Sequence, residues 1–258
     1  MPYEFDAVKY EKASTHQKEW GNEIIAQLAL SGNEKILDLG CGDGALSVQL
    51  AQRVPEGHVL GIDASEAMVE LARKNESANL HFLLQDINAM EYAGEFDLIF
   101  SNATLHWIKD HALLLRNTHR ALKPGGVARF NFAGEGNCRA LIAVLREVMA
   151  RSEFAAYFAD FDWPWFMPSA SEYRQLVEGA GFAEANVWKE NADRAFPDAQ
   201  TITKWIEQPS LVPFLPNVPT RQRPSFRDAV VERMLHQTIQ QDGQYFETFR
   251  RINVYARK

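Results

Sequence analysis

An α/β fold built on a parallel sheet is what this sequence predicts, and three observations predict it. Between residues 35 and 133, short apolar runs alternate with segments of helical spacing, the pattern of successive strand–helix units. A glycine-rich turn, Asp38-Leu39-Gly40-Cys41-Gly42-Asp43-Gly44, joins the first run to the first helical segment. Lys123-Pro124-Gly125-Gly126 then stops a helix and starts the last run.

In chain order the runs are Lys35–Leu39, His58–Ile62, Leu80–Leu84, Phe96–Ser101 and Val127–Phe132, each of strand length. Ala45–Gln52, Glu66–Lys74 and Ala112–Leu122 between them have helical spacing. Arg139–Ala150 reads as a further helix, and Ser171–Ala180 as another, with Ser171 its N-cap. Ala183–Lys189 reads as a strand. Pro197, Pro209, Pro213, Pro216, Pro219 and Pro224 then crowd residues 194–225, too densely for continuous sheet or helix. A helix from Phe226 to about Gln240 follows, and Tyr245–Arg257 alternates as a closing strand. The expected organisation is a single domain over 1–258. It comprises an N-terminal helical cap at 1–30, a binding core at 31–135, and a C-terminal half at 136–258 with an insertion at 194–242.

The formal net charge of −7 argues against a broad nucleic-acid footprint, which needs clustered Lys and Arg. It leaves room for a small anionic ligand in one local pocket. Cys41 and Cys138 are the two cysteines, too few for a disulfide framework or a paired-cysteine metal site. The histidines show no metal-ligand spacing with carboxylates, so no metal is expected. The N-terminus lacks an apolar leader and no stretch of 18 apolar residues follows, so a cytoplasmic protein without a membrane partner is expected, as monomer or homodimer.

The glycines of the Asp38–Gly44 turn let bare backbone approach a ligand, and the following helix N-terminus adds donor amides. Asp63 closes the second strand, where a carboxylate accepts both hydroxyls of a ribose; taken singly, it also reads as a cap before Ser65. Asp86 stands just past the third strand, where it can accept an adenine amino proton or simply shape a turn. A glycine turn alone would suit a nicotinamide dinucleotide equally well. Here, however, an acidic residue precedes the glycines as Asp-x-Gly-x-Gly-x-Gly, and Asp97-Leu98-Ile99-Phe100-Ser101-Asn102 ends the fourth strand ahead of the Lys123–Gly126 turn.

Together these features resemble the class I S-adenosyl-L-methionine-dependent methyltransferases across residues 30–135. The resemblance implies a Rossmann-like three-layer sandwich, with a seven-stranded, mostly parallel sheet, the last strand antiparallel, and a helical insertion as substrate cover. It also implies S-adenosyl-L-methionine as cofactor and S-adenosyl-L-homocysteine as product. On that resemblance Asp38 and Gly40 lie near the methionine moiety, Asp63 holds the ribose, Asp86 and Ile87 frame the adenine, and Asn102 and Ala103 flank the sulfonium. Cys41, Gly42 and Ala64 complete the cofactor-binding set, with Cys41 a small packing residue and no nucleophile.

Two more patterns bear on the acceptor. Tyr10-Glu11-Lys12-Ala13-Ser14-Thr15-His16-Gln17, followed by Trp20, precedes the first strand, and Asn102-Ala103-Thr104-Leu105-His106-Trp107 follows the fourth. Both resemble the branch that includes trans-aconitate and juvenile hormone acid methyltransferases, whose acceptor is a carboxylate. A carboxylate is already ionised at neutral pH and needs only donors that aim one oxygen at the methyl group. The Gln17 amide and the Trp107 indole N–H are such donors, and His106 is a third, or a base if the acceptor is a hydroxyl or an amine. The plain alternatives are a core aromatic for Trp107 and a structural histidine for His106. The aromatic residues Trp163, Trp165, Trp205 and Phe214 are expected as substrate cover or as a small secondary core.

The rival enzyme class is a nicotinamide-dependent oxidoreductase, for which no Tyr-x-x-x-Lys pair is found. A small-molecule N- or C-methyltransferase using His106 as base is the nearer alternative, and a non-catalytic cofactor-binding protein the more distant one.

Overall fold

The computed structural model describes residues 15–258, without side chains at 15–17 and 208–209. The Tyr10 and Ser14 end of the N-terminal pattern therefore lies outside the described residues, as does the Gln17 side chain. The chain forms two compact units. The first holds the described residues through Glu135 together with Trp165–Glu190 and Arg251–Lys258; the second holds Gly136–Pro164 and Asn191–Arg250.

The first unit begins with helix α1 (Thr15–Gln27), followed by β1 (Lys35–Leu39), α2 (Ala45–Arg53), β2 (His58–Asp63) and α3 (Glu66–Ala72). Next come β3 (Leu80–Leu84), β4 (Phe96–Asn102), α4 (His111–Ala121) and β5 (Leu122–Ala133). Helix α6 (Ala170–Gly179), with β6 (Glu184–Asn191) and β9 (Arg250–Arg257) apart from their boundary residues Asn191 and Arg250, completes it. The seven strands run in the order β3-β2-β1-β4-β5-β9-β6. Strands β1 to β5 pair in parallel, and β9 runs antiparallel to β5.

Alternation along each strand sends successive side chains to opposite faces, and both faces are covered. Leu37, Leu39, Ile99, Phe130, Phe132, Ile252 and Val254 pack with Leu114 and Leu115 of α4 and with Tyr173 and Val177 of α6. Ile36, Val59, Leu98 and Phe100 pack on the other side with Ile24 and Ile25 of α1, Leu50 of α2 and Val69 of α3. Local chemistry starts the helices: Asp110 Oδ1 accepts from Leu113 N at 2.8 Å ahead of α4. The Lys123–Gly126 turn, expected to precede a strand, is absorbed into β5. Its pairing with β4 jumps from Phe96↔Leu122 to Leu98↔Val127, and Gly125 takes a φ of +76° there. The N-cap of α6 is Ser169, not Ser171: Ser169 and Glu172 form a reciprocal capping box, a better-satisfied start two residues upstream.

The second unit contains α5 (Arg139–Met149), α7 (Ala199–Trp205) and α8 (Arg223–Thr238), with a two-stranded sheet of β7 (Arg194–Phe196) and β8 (Tyr245–Glu247). The single closing strand expected at Tyr245–Arg257 is thus two strands in different sheets. Buried Glu247, which ends β8, accepts from Ala140 N at 3.1 Å and Leu141 N at 2.8 Å at the start of α5, where helix amides favour a carboxylate. Trp205 and Phe214 are buried within this unit, where Trp205 meets Phe249 edge-on at 5.5 Å. They act there as core. Among the described residues no helix is long and apolar enough to cross a membrane.

Candidate active site

The parallel strands of the first unit finish along one edge, and the predicted cofactor residues gather where β1, β2 and β3 end. Asp38 is buried, with its Oδ2 accepting from Ser47 Oγ at 2.6 Å. Burial, reinforced by the nearby Asp63 charge, pushes its pKa up to about 7 despite that hydrogen bond. Asp63 Oδ2 accepts from Gly42 N at 3.0 Å and Oδ1 from Ser65 N at 2.9 Å, so one carboxylate ties the glycine turn to the start of α3. Ala64 is half-buried beside it.

Gly40 and Gly42 need their glycines for different reasons. At Gly40, φ is +71° and an added Cβ would lie 2.0 Å from Thr104 Cγ2. At Gly42, φ is +55° and a Cβ would meet nothing within 4 Å, so bare backbone faces open space beside Asp63. Cys41 is buried, and burial followed by the Asp63 and Asp38 charges drives its thiol pKa well above the usual range, so it is a packing residue. Asp86 is exposed and its Oδ1 accepts from Asn88 N at 2.8 Å, shaping the turn Ile87–Ala89. The Ile87 side chain is buried in the core.

The acceptor-side residues gather where β4, β5 and β9 meet. Ala103 takes a φ of +59°, a strained conformation for a residue with a Cβ. Its N–H donates to Asn131 O at 2.7 Å, and Thr104 Oγ1 donates to Gly40 O at 3.0 Å. The corner after β4 is therefore pinned to both β5 and the glycine turn. Helix α1 closes on the same place: Lys18 Nζ lies 2.6 Å from Asp43 Oδ2, and an added Cβ on Gly21 would come within 3.1 Å of Asn102 Nδ2. The helix that carries Gln17 thus packs against Asn102.

His106 and Trp107 sit in the short turn Leu105–Trp107, with their rings 5.2 Å apart and Trp107 edge-on to Trp165 at 5.8 Å. His106 Nδ1 is sealed from solvent without a hydrogen-bond partner. Burial, then the Arg251 guanidinium, then His111 push its pKa down to about 3. The turn rests on buried His111, whose Nε2 lies 3.0 Å from Leu105 O and whose Nδ1 lies 3.0 Å from Tyr173 Oη. Neutral His111 donating to Leu105 and accepting from Tyr173 satisfies both contacts.

Sequence reading missed Ser47, Thr104, His111, Asn131 and Arg251. Thr104 and His111 lay within or beside a quoted motif. Asn131 and Arg251 carried one usable signal: polar residues at positions whose neighbours Phe130, Phe132 and Ile252 read as core.

Residues 30–194 match a family described as Methyltransferase domain. The chain is 34% identical over 186 residues to a trans-aconitate 2-methyltransferase of Deinococcus radiodurans, covering 70% of each chain. It is 31% identical over 247 residues to one of Methylobacterium radiotolerans, covering 92% of this chain and 91% of that one. Its fold is similar to the crystal structure of a Haemonchus contortus phosphoethanolamine N-methyltransferase 2 with S-adenosylhomocysteine. The TM-score is 0.63 at 19% identity, with 98% of this chain aligned to 56% of the other, so this chain spans little more than half of that protein.

Proposed function

The chain belongs to the class I S-adenosyl-L-methionine-dependent methyltransferases of small molecules, and from that premise we propose that it methylates a carboxylate oxygen of a small organic acid. The cofactor residues fit such a ligand. A glycine turn with open space above Gly42 stands beside two carboxylates, one of them held partly protonated for want of a cation. When bound, the cofactor supplies an electrophilic methyl group on a positively charged sulfonium. Asp38 would face its ammonium, Asp63 its ribose, Asp86 its adenine, and the Asn102–Ala103 corner its sulfur.

The observation that carries the carboxylate reading is His106. A buried imidazole with a pKa near 3 is neutral at working pH and a weak proton acceptor, which suits neither a hydroxyl nor an amine that must lose a proton. An ionised carboxylate needs none. The residues' work is then orientation and exclusion of water: the Gln17 amide and the Trp107 indole would aim one oxygen at the methyl group. The dry corner would favour a step in which opposite charges cancel. That the two relatives are named for a tricarboxylic acid agrees with this reading, whereas the fold alone does not separate O- from N-transfer.

The test is incubation with cofactor carrying a 13C-methyl group and a panel of carboxylic acids, amines and phenols. Methyl esters are expected among the products. A label found only on nitrogen, on carbon or on phenolic oxygen would reject the reading.

A further inference from the structure

Buried His111, the first residue of α4, stands behind the Leu105–Trp107 turn. Its ring is boxed by Phe166 at 4.5 Å, Tyr173 of α6 at 5.3 Å and Phe132 of β5 at 5.7 Å, centre to centre. An apolar side chain would fill that box without stripping water from an imidazole and a phenol hydroxyl. What a polar pair adds there is direction.

The direction is fixed by elimination. Tyr173 is fully buried, and among the described residues its hydroxyl bonds to His111 Nδ1 alone. The hydroxyl proton therefore goes to Nδ1, which leaves the imidazole proton on Nε2, 3.0 Å from Leu105 O. The other tautomer would set a bare Nε2 lone pair against that carbonyl. Burial pushes the His111 pKa down to about 4, so the ring keeps this neutral form at working pH. Leu105 O also accepts from Ile108 N at 2.9 Å. On either side of it, Thr104 O accepts from Trp107 N at 3.0 Å and His106 O from Phe166 N at 2.9 Å. Three consecutive carbonyls around the turn are thus held, and through one imidazole the middle one is tied to both α4 and α6.

We propose that His111 is a positioning residue for methyl transfer. Kept by Tyr173 with its proton on Nε2, it fixes the Leu105 carbonyl, and with it the angle at which His106 and Trp107 reach the acceptor. This rests on the reading of that turn as the acceptor corner, whichever atom takes the methyl group.

The main variant joins His111→Leu to Tyr173→Phe, which removes both polar groups and leaves Leu105 O its bond from Ile108 N. It should melt no lower than the wild type, since both partners become apolar together. Yet kcat for the best acceptor in the panel above should fall by about tenfold or more, with KM and S-adenosyl-L-homocysteine affinity within about twofold. His111→Gln, whose amide can replace the Nε2 donor, should keep turnover within about threefold of wild type. A folded double variant with wild-type kcat, or a glutamine variant as slow as the double, would overturn the positioning role alone, provided Trp107→Phe is slow. Wild-type turnover in Trp107→Phe as well as in both His111 variants would overturn the acceptor-corner reading beneath it. The tautomer is read independently by 15N NMR of the imidazole in the wild type. The proton should sit on Nε2 from about pH 6 to 8, and a proton on Nδ1 would overturn the proposal whether or not the variants fold.

Discussion

Where β1, β2 and β3 finish, the groups facing the edge of the sheet are carboxylates, Asp38, Asp63 and Asp86; where β4, β5 and β9 meet along the same edge, they are Asn102, a neutral His106, Asn131 and Arg251. The first half can stabilise a cation. The difference in pKa has one physical source with opposite outcomes: burial holds Asp38 protonated up to about 7 and holds His106 neutral down to about 3. On the proposed reading, the first half receives a cationic donor and the second an anionic acceptor, and methyl transfer cancels the two charges.

The largest expected effect is on the acidic half. Asp63→Ala removes the partner of Gly42 N as well as the proposed ribose acceptor, and should weaken S-adenosyl-L-homocysteine binding by about 1.5–3 kcal/mol. Calorimetric titration measures it, and unchanged affinity would place the ribose elsewhere. Asp38→Asn sharpens the same half. Because the folded carboxyl titrates near 7 and the unfolded one near 3.8, the wild type loses stability as pH rises from about 4 to about 7, with no further loss above. The asparagine variant has no such loss. Without cofactor it should melt higher than wild type at pH 8, by a margin that narrows at pH 5, while binding the cofactor more weakly. A margin that does not vary with pH would mean Asp38 is already ionised.

On the other half, Trp107→Phe keeps the ring contacts with His106 and Trp165 and deletes the N–H. Turnover should fall by roughly tenfold, with cofactor affinity intact. Equal turnover would leave Trp107 as packing alone. The smallest effect is expected at the opposite end of the sheet, where Lys123 Nζ lies 2.7 Å from Asp97 Oδ2 on two half-exposed side chains. Lys123→Met should cost less than about 1 kcal/mol in chemical denaturation and leave kinetics untouched.

The two halves also differ in how much of them could be read from the sequence. Asp38, Gly40, Gly42 and Asp63 lie within one strand–turn–helix–strand stretch, and the purpose of the turn, close backbone approach, requires glycine itself. Their order was therefore legible, as were the apolar runs that became β1 to β5. The acceptor corner is assembled from α1, the turn after β4, and the ends of β5 and β9. Arg251 and Asn131 are 120 residues apart and meet only through sheet register. Their one local signal, the core-like neighbours Phe130, Phe132 and Ile252, equally fits a strand with one solvated face. The Lys123–Gly126 signal held in part, since the pairing with β4 skips from Leu122 to Val127, whereas the break between β8 and β9 depends on which sheet each half joins. Trp205 and Phe214, expected as substrate cover or as a small secondary core, are core of the second unit, since an aromatic cluster reads the same whether it packs on itself or on a ligand.

The central claim, that methyl transfer here needs orientation and no base, is tested most directly by kcat as a function of pH at saturating cofactor. Titration of Asp38 should appear in the cofactor dissociation constant, which weakens below about pH 7, and drop out once the cofactor saturates the site. With an acid that the enzyme methylates, kcat should then be flat from about pH 6 to 9, in wild type and in His106→Asn alike. A rate that rises through a titration near pH 6 to 7 and loses that titration in His106→Asn would contradict the account, and would make His106 the catalytic base.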